Sequence, residues 1–329
     1  MSIYSKVPLR VSLFGGGTDM PEYFSQHGSR ILSFAIDKYI RVQFRKNPKY
    51  STSNYRFIFR NTEELYTYSS SSNPVFKNIF KFMESEQQFG EYIYQSDMPS
   101  MSGIGSSSAF AICMLNLLNF LKSGKKIKSK ELAKKSIFFE QKILKEKVGI
   151  QDQIACSYGG FNIIKVSKDG QFNVENIYNK KNKLKIKKLL NSFLLIHTGK
   201  YRYASDMEKQ KKFGYLDLSY LNEASIEAEK KLKSKKFELY EIGKLLNETW
   251  KIKKTISDSV SSPQIDYLYD LIIKKGGIGG KLIGAGGGGF LLVQVPEEKQ
   301  KKIIEFFSKK LIFKIKCCNS KPQIYEDDF

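Results

Sequence analysis

The stretch Pro99-Ser100-Met101-Ser102-Gly103-Ile104-Gly105-Ser106-Ser107-Ser108-Ala109 joins a short strand, Tyr92 to Ser96, to a helix expected over Ser106 to Lys122. That helix is apolar nearly all round, which predicts burial rather than an amphipathic position at the surface. Its entry is a Gly-Ile-Gly loop followed by three hydroxyls in the first turn. Unpaired backbone N–H groups and the positive end of the helix dipole would then face an anion. A lone serine at such a place is usually only an N-cap. Three after two glycines favour a phosphate cradle, and since no Gly-Lys-[Ser/Thr] follows it is not a Walker A loop.

Working outward towards the N-terminus, periodicity predicts a helix over Val75 to Phe89 and strands over Val7 to Phe14, Ile31 to Phe44 and Arg56 to Phe59. Towards the C-terminus, a second helix spans Glu131 to Lys147 with an apolar face through Leu132, Ile137, Ile143 and Leu144. A strand at Phe161 to Val166 leads to a hairpin signal at Asp169-Gly170. The lysine-rich run Asn179 to Lys188 is the expected junction between a domain of residues 1–190 and another of 191–329. Beyond it come a strand (Phe193 to His197) and helices around Ser205 to Phe213, Leu221 to Lys231, Phe237 to Ile256 and Ile265 to Lys275. A glycine loop, the strand Phe290 to Val295, the helix Lys299 to Lys310 and a last strand close the second domain. No internal repeat is visible, and the mixture of short strands and helices predicts an α+β protein in two lobes.

Composition agrees with a folded, soluble chain: 329 residues, 41% apolar, 13% aromatic and 27% charged. The longest apolar run, Phe110 to Leu121, is too short to span a bilayer and contains Asn116 and Asn119. No secretory signal precedes Pro8, and the four cysteines lack metal-ligand or disulfide-framework spacing, so a reducing cytoplasm is expected. The net charge of +22 raises nucleic-acid binding. Yet only seven of the 55 basic residues are arginine, the usual base reader, and no nucleic-acid motif accompanies the lysines. A polyanionic small-molecule substrate accounts for the charge as well, and nothing in the sequence bears on oligomeric state.

Two further glycine segments and two carboxylates complete the candidate site. Gly15-Gly16-Gly17-Thr18-Asp19 follows the first strand, and Gly284-Ala285-Gly286-Gly287-Gly288-Gly289 precedes a strand instead of a helix, which excludes the dinucleotide fingerprint. Five glycines in six residues still require something close to the backbone. Glu140 falls on the apolar face of its helix, where a carboxylate needs a partner, either a metal ion or a lysine. Asp152, in Gly149-Ile150-Gln151-Asp152-Gln153, taken alone reads as a helix cap.

Phosphate loop, buried glutamate and nearby aspartate together resemble the GHMP small-molecule kinases over almost the whole chain. Pro8 to Asp19 is similar to that family's first motif, Pro99 to Ala109 to its second, Gly149 to Ala155 to its catalytic segment and Lys281 to Leu292 to its third. Within the family the pattern resembles heptose 7-phosphate kinases: Gly15-Gly16-Gly17-Thr18-Asp19, Thr198-Gly199-Lys200-Tyr201-Arg202, Trp250-Lys251-Ile252-Lys253-Lys254 and Ser261 to Asp266 carry it, with Asn247 where histidine is usual. The resemblance implies a ribosomal-S5-like N-terminal lobe and a ferredoxin-like C-terminal lobe. It implies transfer of phosphate from ATP with Mg²⁺ to the anomeric hydroxyl of a heptose 7-phosphate, with a neutral sugar such as fucose, or a silent binding protein, as alternatives. Gly103, Ile104, Gly105, Ser106, Ser107 and Ser108 would hold the triphosphate, and Ser107 and Glu140 the metal. Asp152 would accept the sugar proton beside Arg10. Gly16, Gly17, Thr18, Asp19, Gly286 and Gly287 would line the sugar. Lys200, Arg202 and Lys254 would neutralise its phosphate.

Overall fold

A computed structural model describes residues 2–200, 215–256, 259–284, 286–316 and 318–327, with side chains omitted for 215, 216 and 256. In chain order the first lobe contains β1 (Ser2–Phe14), α1 (Pro21–His27), β2 (Ser29–Lys46), β3 (Tyr55–Ile58), β4 (Thr62–Leu65), α2 (Pro74–Phe82), β5 (Gly90–Ser96), α3 (Ser106–Ser123), α4 (Ser129–Phe138), α5 (Gln151–Tyr158), β6 (Phe161–Val166), β7 (Phe172–Asn176) and α6 (Lys183–Asn191). There follow β8 (Phe193–His197), α7 (Tyr215–Lys233), α8 (Glu241–Ile256), α9 (Pro263–Lys274), β9 (Gly279–Leu282), β10 (Phe290–Gln294), α10 (Glu297–Phe306), β11 (Ile312–Lys314) and β12 (Gln323–Asp327).

Two sheets organise these elements. One runs β12-β1-β2-β5-β3-β4, with β6 and β7 branching from β2; the other is a four-stranded antiparallel sheet, β11-β8-β10-β9. The branch exists because β2 is long: Ser29–Phe34 pairs with β6, while Ile40–Lys46 pairs with β5. Between those halves Ala35 and Asp37 bond to Gly160, Cys318 and Lys316 instead of a neighbouring strand. The β1–β2 register shifts there, between Pro8 and Arg10. Shifts of this kind re-aim a side chain, and the Arg10 N–H leaves the ladder to donate to Ile104 O at 3.1 Å.

As its composition predicts, α3 is buried along nearly its whole length, with Ile112, Leu115, Leu117 and Leu118 fully inaccessible against the first sheet. Each such side chain contributes about 1.5–3 kcal/mol, so the helix that presents the glycine loop is anchored by the core itself. That core continues into the second lobe through Leu245, Leu246, Ile283, Phe290 and Leu292. A further cluster behind the second sheet includes Trp250, Leu268, Leu282 and Leu291.

Several expectations are corrected. The helix expected over Val75 to Phe89 stops at Phe82, where Glu84 takes a left-handed conformation. The helix expected over Glu131 to Lys147 ends as α-helix at Phe138, continues as a π-helical turn over Phe139–Ile143, and is closed by left-handed Lys145. Within the run Asn179 to Lys188, read as a junction, α6 begins and buries Ile186, Leu189 and Leu190. The last strand does not close the second lobe: β12 crosses back and pairs antiparallel with β1, extending the larger sheet. The helix expected around Ser205 to Phe213 lies outside the described residues.

Candidate active site

The glycine loop forms as its sequence requires. Gly103 and Gly105 both have left-handed φ, and a Cβ on Gly105 would press on the Arg10 side chain at 3.0 Å. Among the described residues no hydrogen bond uses the N–H groups of Ser106, Ser107 or Ser108, the open first turn of α3. Ser107 is exposed at that turn, whereas Ser108 is buried. The third glycine segment explains its composition here, for it packs backbone to backbone on this loop. A Cβ on Gly284 would lie 2.7 Å from Gly103 Cα, and one on Gly289 would lie 2.6 Å from Ser102 O. Gly286 packs on Val260, and Gly287 N donates to Val260 O at 3.2 Å.

Arg10 and Asp152 meet across the mouth of this loop. Arg10 Nε donates to Asp152 Oδ1 at 2.7 Å and Nη2 to Oδ2 at 2.5 Å, the parallel two-bond geometry of a guanidinium on a carboxylate. Its remaining arm, Nη1, donates to Gly103 O at 2.7 Å. Burial works against the Arg10 charge, but Asp152, with smaller help from Cys156 and Asp19, leaves it more basic than an ordinary arginine. Asp152 stands in the first turn of α5, a helix that the sequence reading did not include; its carboxylate faces Arg10 instead of capping that helix.

Asp19 lies alongside. Its carboxylate accepts from Gly17 N at 2.9 Å and Gln151 N at 3.2 Å, and it rests on Gly149, where a Cβ would stand 1.8 Å from Oδ2. Burial and then repulsion by Asp152 raise its pKa, with these amide bonds pulling the other way. The buried Thr18 hydroxyl donates to Gly15 O and meets Ser29 Oγ, which stabilises the turn.

Glu140 has neutral company. Oε2 accepts from Ser108 Oγ at 2.8 Å and from Gln153 Nε2 at 2.7 Å, and Oε1 from Ser136 Oγ at 3.1 Å. Among the described residues no lysine or arginine pairs with it, which removes the lysine alternative raised from the sequence. Burial pushes its pKa up to about 8 despite the Ser108 and Gln153 bonds. The side chain reaches this position because the π-helical turn at Phe139–Ile143 re-phases the helix face, a local feature common at functional sites. Hydroxyls with one carboxylate form a hard-oxygen donor set suited to a cation that keeps water and phosphate ligands. No cluster of three or more His, Cys, Asp or Glu exists among the described residues to hold a metal by itself. Ser108, Ser136 and Gln153 were not read from the sequence as partners of Glu140; Ser136 lies one helical turn before it, the one signal available.

The cations expected for a sugar phosphate distribute differently. Lys254 is ion-paired with Asp266 at 3.1 Å, Lys200 Nζ donates to Ser262 Oγ at 3.2 Å, and Arg202 lies outside the described residues. The sequence reading passed over Lys253 and Lys281, each only 7% exposed and lining one pocket with Gly15, Gly16 and Trp250. Helical spacing carries a signal for Lys253, which stands three and seven residues after buried Trp250 and Leu246.

This arrangement, an open helix N-terminus, a guanidinium-held aspartate and a glutamate lacking a cation, occurs in a chain that matches two family descriptions. GHMP kinases N terminal domain covers residues 74–160 and GHMP kinases C terminal covers 230–312, together just over half of the chain. The chain belongs to the GHMP kinases. As such it is a phosphotransferase with ATP as its donor. The kinase is 29% identical to a D-glycero-alpha-D-manno-heptose 7-phosphate kinase of Campylobacter jejuni over 94% of each chain. It is 25% identical to the mevalonate kinase of Methanocaldococcus jannaschii over 92% of this chain and 95% of that one. Its fold matches the crystal structure of a D-glycero-D-manno-heptose 1-phosphate kinase from Bacteriodes thetaiotaomicron with a TM-score of 0.78, at 19% identity and 99% coverage of both chains. No helix among the described residues is long and apolar enough to cross a membrane.

Proposed function

We propose that this kinase transfers the γ-phosphoryl group of ATP to the anomeric hydroxyl of a D-glycero-D-manno-heptose 7-phosphate, giving the 1,7-bisphosphate and ADP. The observation that carries the reading is Asp152, gripped by Arg10, which also touches the glycine loop, so that an acceptor hydroxyl and a donor triphosphate would meet at one guanidinium. Phosphoryl transfer asks chiefly for such positioning and charge neutralisation. The N–H groups of Gly103 to Ser108 hold the triphosphate, and Asp152 accepts the proton of the attacking hydroxyl. Arg10 fixes the Asp152 carboxylate and offsets charge on the moving group. Asp19 accepts hydrogen bonds from sugar hydroxyls. Glu140, with Ser107 and Ser108 at the start of α3, suits Mg²⁺, which when bound supplies neutralisation of phosphate charge. Free, buried Cys113, Cys156 and Cys318 are in keeping with work in a reducing cytoplasm.

The two relatives named for heptose phosphates differ in which phosphate their names carry. Turnover of ATP with heptose 7-phosphate, unphosphorylated heptose, fucose, galactose and mevalonate, followed by assignment of the new phosphoester by ³¹P NMR, tests the proposal. A kcat/KM for heptose 7-phosphate at least tenfold above the others is expected. Equal use of a neutral sugar would overturn it.

A further inference from the structure

Lys281, on β9, and Lys253, on α8, are brought together in a narrow pocket whose other walls include Phe14, Gly15, Gly16 and Trp250. Buried lysines ordinarily have a carboxylate partner. Lys281 has no hydrogen bond or ion pair among the described residues although it is 93% buried by its 7% exposure. Lys253 Nζ donates to Gly284 O at 2.9 Å, which holds that ammonium against the third glycine segment. Burial, then repulsion by Lys253 and Arg10, keep the Lys281 pKa far below the ordinary lysine value, and Asp19 pulls weakly the other way. Lys281 therefore shares the electrostatic field of Asp19 and Arg10.

The pocket is also continuous with the site. Gly16 lines it, and a Cβ there would meet Ser12 Oγ at 3.1 Å and Gln151 Nε2 at 3.4 Å, next to the Asp19 carboxylate that Gln151 N contacts. Ser12 Oγ is itself buried without a partner. Gly16 thus links the surroundings of Asp19 to the pocket of the two lysines.

We infer that Lys253 and Lys281 form an anion subsite that takes the phosphate already carried by the sugar. This rests on the phosphorylated-sugar reading above and deepens it by moving the phosphate contact from Lys254, which Asp266 occupies, to its neighbour on the helix. A phosphate dianion supplies Lys281 with the counter-charge it lacks among the described residues, and it favours the charged form of that lysine, so binding is coupled to proton uptake. The two lysines are the sensor of whether the sugar bears a phosphate; a neutral sugar brings no counter-charge to Lys281.

The test is Lys281→Met in the full chain, with Lys281→Arg as the charge-keeping control. KM for heptose 7-phosphate is expected to rise at least tenfold in Lys281→Met with KM for ATP within twofold, and selectivity for phosphorylated over unphosphorylated heptose to fall by the same factor. Lys281→Arg should recover part of the loss. Because Lys281→Met replaces a buried amine that has no partner among the described residues with an apolar chain of similar length, its melting temperature should equal or exceed that of the wild type; a lysine with a purely structural role would lower it. Unchanged selectivity in a folded Lys281→Met protein overturns the subsite. Absence of wild-type turnover with every sugar phosphate overturns the functional reading instead. The subsite is then judged by inorganic phosphate alone: stabilisation of the wild type by phosphate that Lys281→Met loses supports it, and equal stabilisation of both overturns it.

Discussion

Asp152 and Glu140 stand on successive segments of one lobe, and their surroundings differ in kind. Asp152 receives two parallel hydrogen bonds from a guanidinium, so its charge is balanced within the protein. Glu140 receives three from neutral hydroxyl and amide donors and is more deeply buried, so no charge among the described residues balances its own. Desolvation without a counter-charge makes the neutral carboxyl the favoured form of Glu140 in the empty protein. Under the proposed function, the contrast separates a group that exchanges a proton with substrate from a group that receives a metal.

The largest effect that could break this contrast is on the chemical step. Asp152→Asn preserves shape but removes the acceptor, and kcat should fall by about two to four orders of magnitude with little change in nucleotide affinity. It also leaves buried Arg10 facing a neutral amide, so melting should drop by roughly 2–6 °C, a moderate loss because Asp152 is partly exposed. Near-normal turnover in this variant would remove Asp152 from the role of base.

Glu140→Gln should act on a different axis. The Mg²⁺ concentration for half-maximal rate is expected to rise by about tenfold or more. Melting in the absence of metal should hold or rise, opposite to Asp152→Asn, since a buried neutral carboxyl is exchanged for an amide of similar shape that never has to carry a buried charge. A fall in stability with unchanged Mg²⁺ dependence would make Glu140 a structural residue.

The same carboxyl sharpens the comparison through pH. Its pKa is raised from 4.5 to about 8 in the folded state, so the native protein keeps a proton that the unfolded chain has released. That contribution to stability is complete below about pH 4.5 and declines as pH rises to about 8, by up to about 1.4 kcal/mol per pH unit. Denaturant melts in EDTA from pH 5 to 8 should show the decline, and Glu140→Gln should flatten its share. A wild-type slope identical to that of Glu140→Gln would mean that Glu140 is already ionised when the site is empty. The smallest effect is expected at Lys254, whose ammonium is engaged by Asp266: Lys254→Ala should change KM for the sugar phosphate less than about threefold. A larger rise would return the phosphate contact to Lys254.

Elements governed by local chemistry were legible from the residues. The strand Phe161–Val166 and the hairpin at Gly170 follow from alternation and a turn residue with φ of +78°. The burial of α3 follows from its lack of a polar face. Elements governed by distant partners were not. Helix α5 has few apolar residues and exists because Ile154, Ala155 and Cys156 bury against the rest of the lobe. Helix α6 is lysine-rich on one side, which masks Ile186, Leu189 and Leu190 on the other. Strand β12 is short and polar, and only the free edge of β1 gives it a place in a sheet.

The sequence by itself determined the glycine loop before a buried helix, the family resemblance with its motifs, and the identity of Arg10, Asp19, Glu140 and Asp152 as residues of interest. The glycine loop and the inward-facing Glu140 depend on backbone freedom, helix periodicity and residue type, which are properties of short segments, whereas Arg10 and Asp19 are marked by the family resemblance. Only the tertiary structure decided which charges meet. It placed Arg10 on Asp152, 142 positions away in sequence, and Ser108 on Glu140, 32 positions away. It gave Lys254 to Asp266 and turned its neighbour Lys253 inward beside Lys281. Adjacent residues on a helix point about 100° apart, so which of two consecutive lysines reaches solvent and which reaches the site is settled by the surface that the helix packs against.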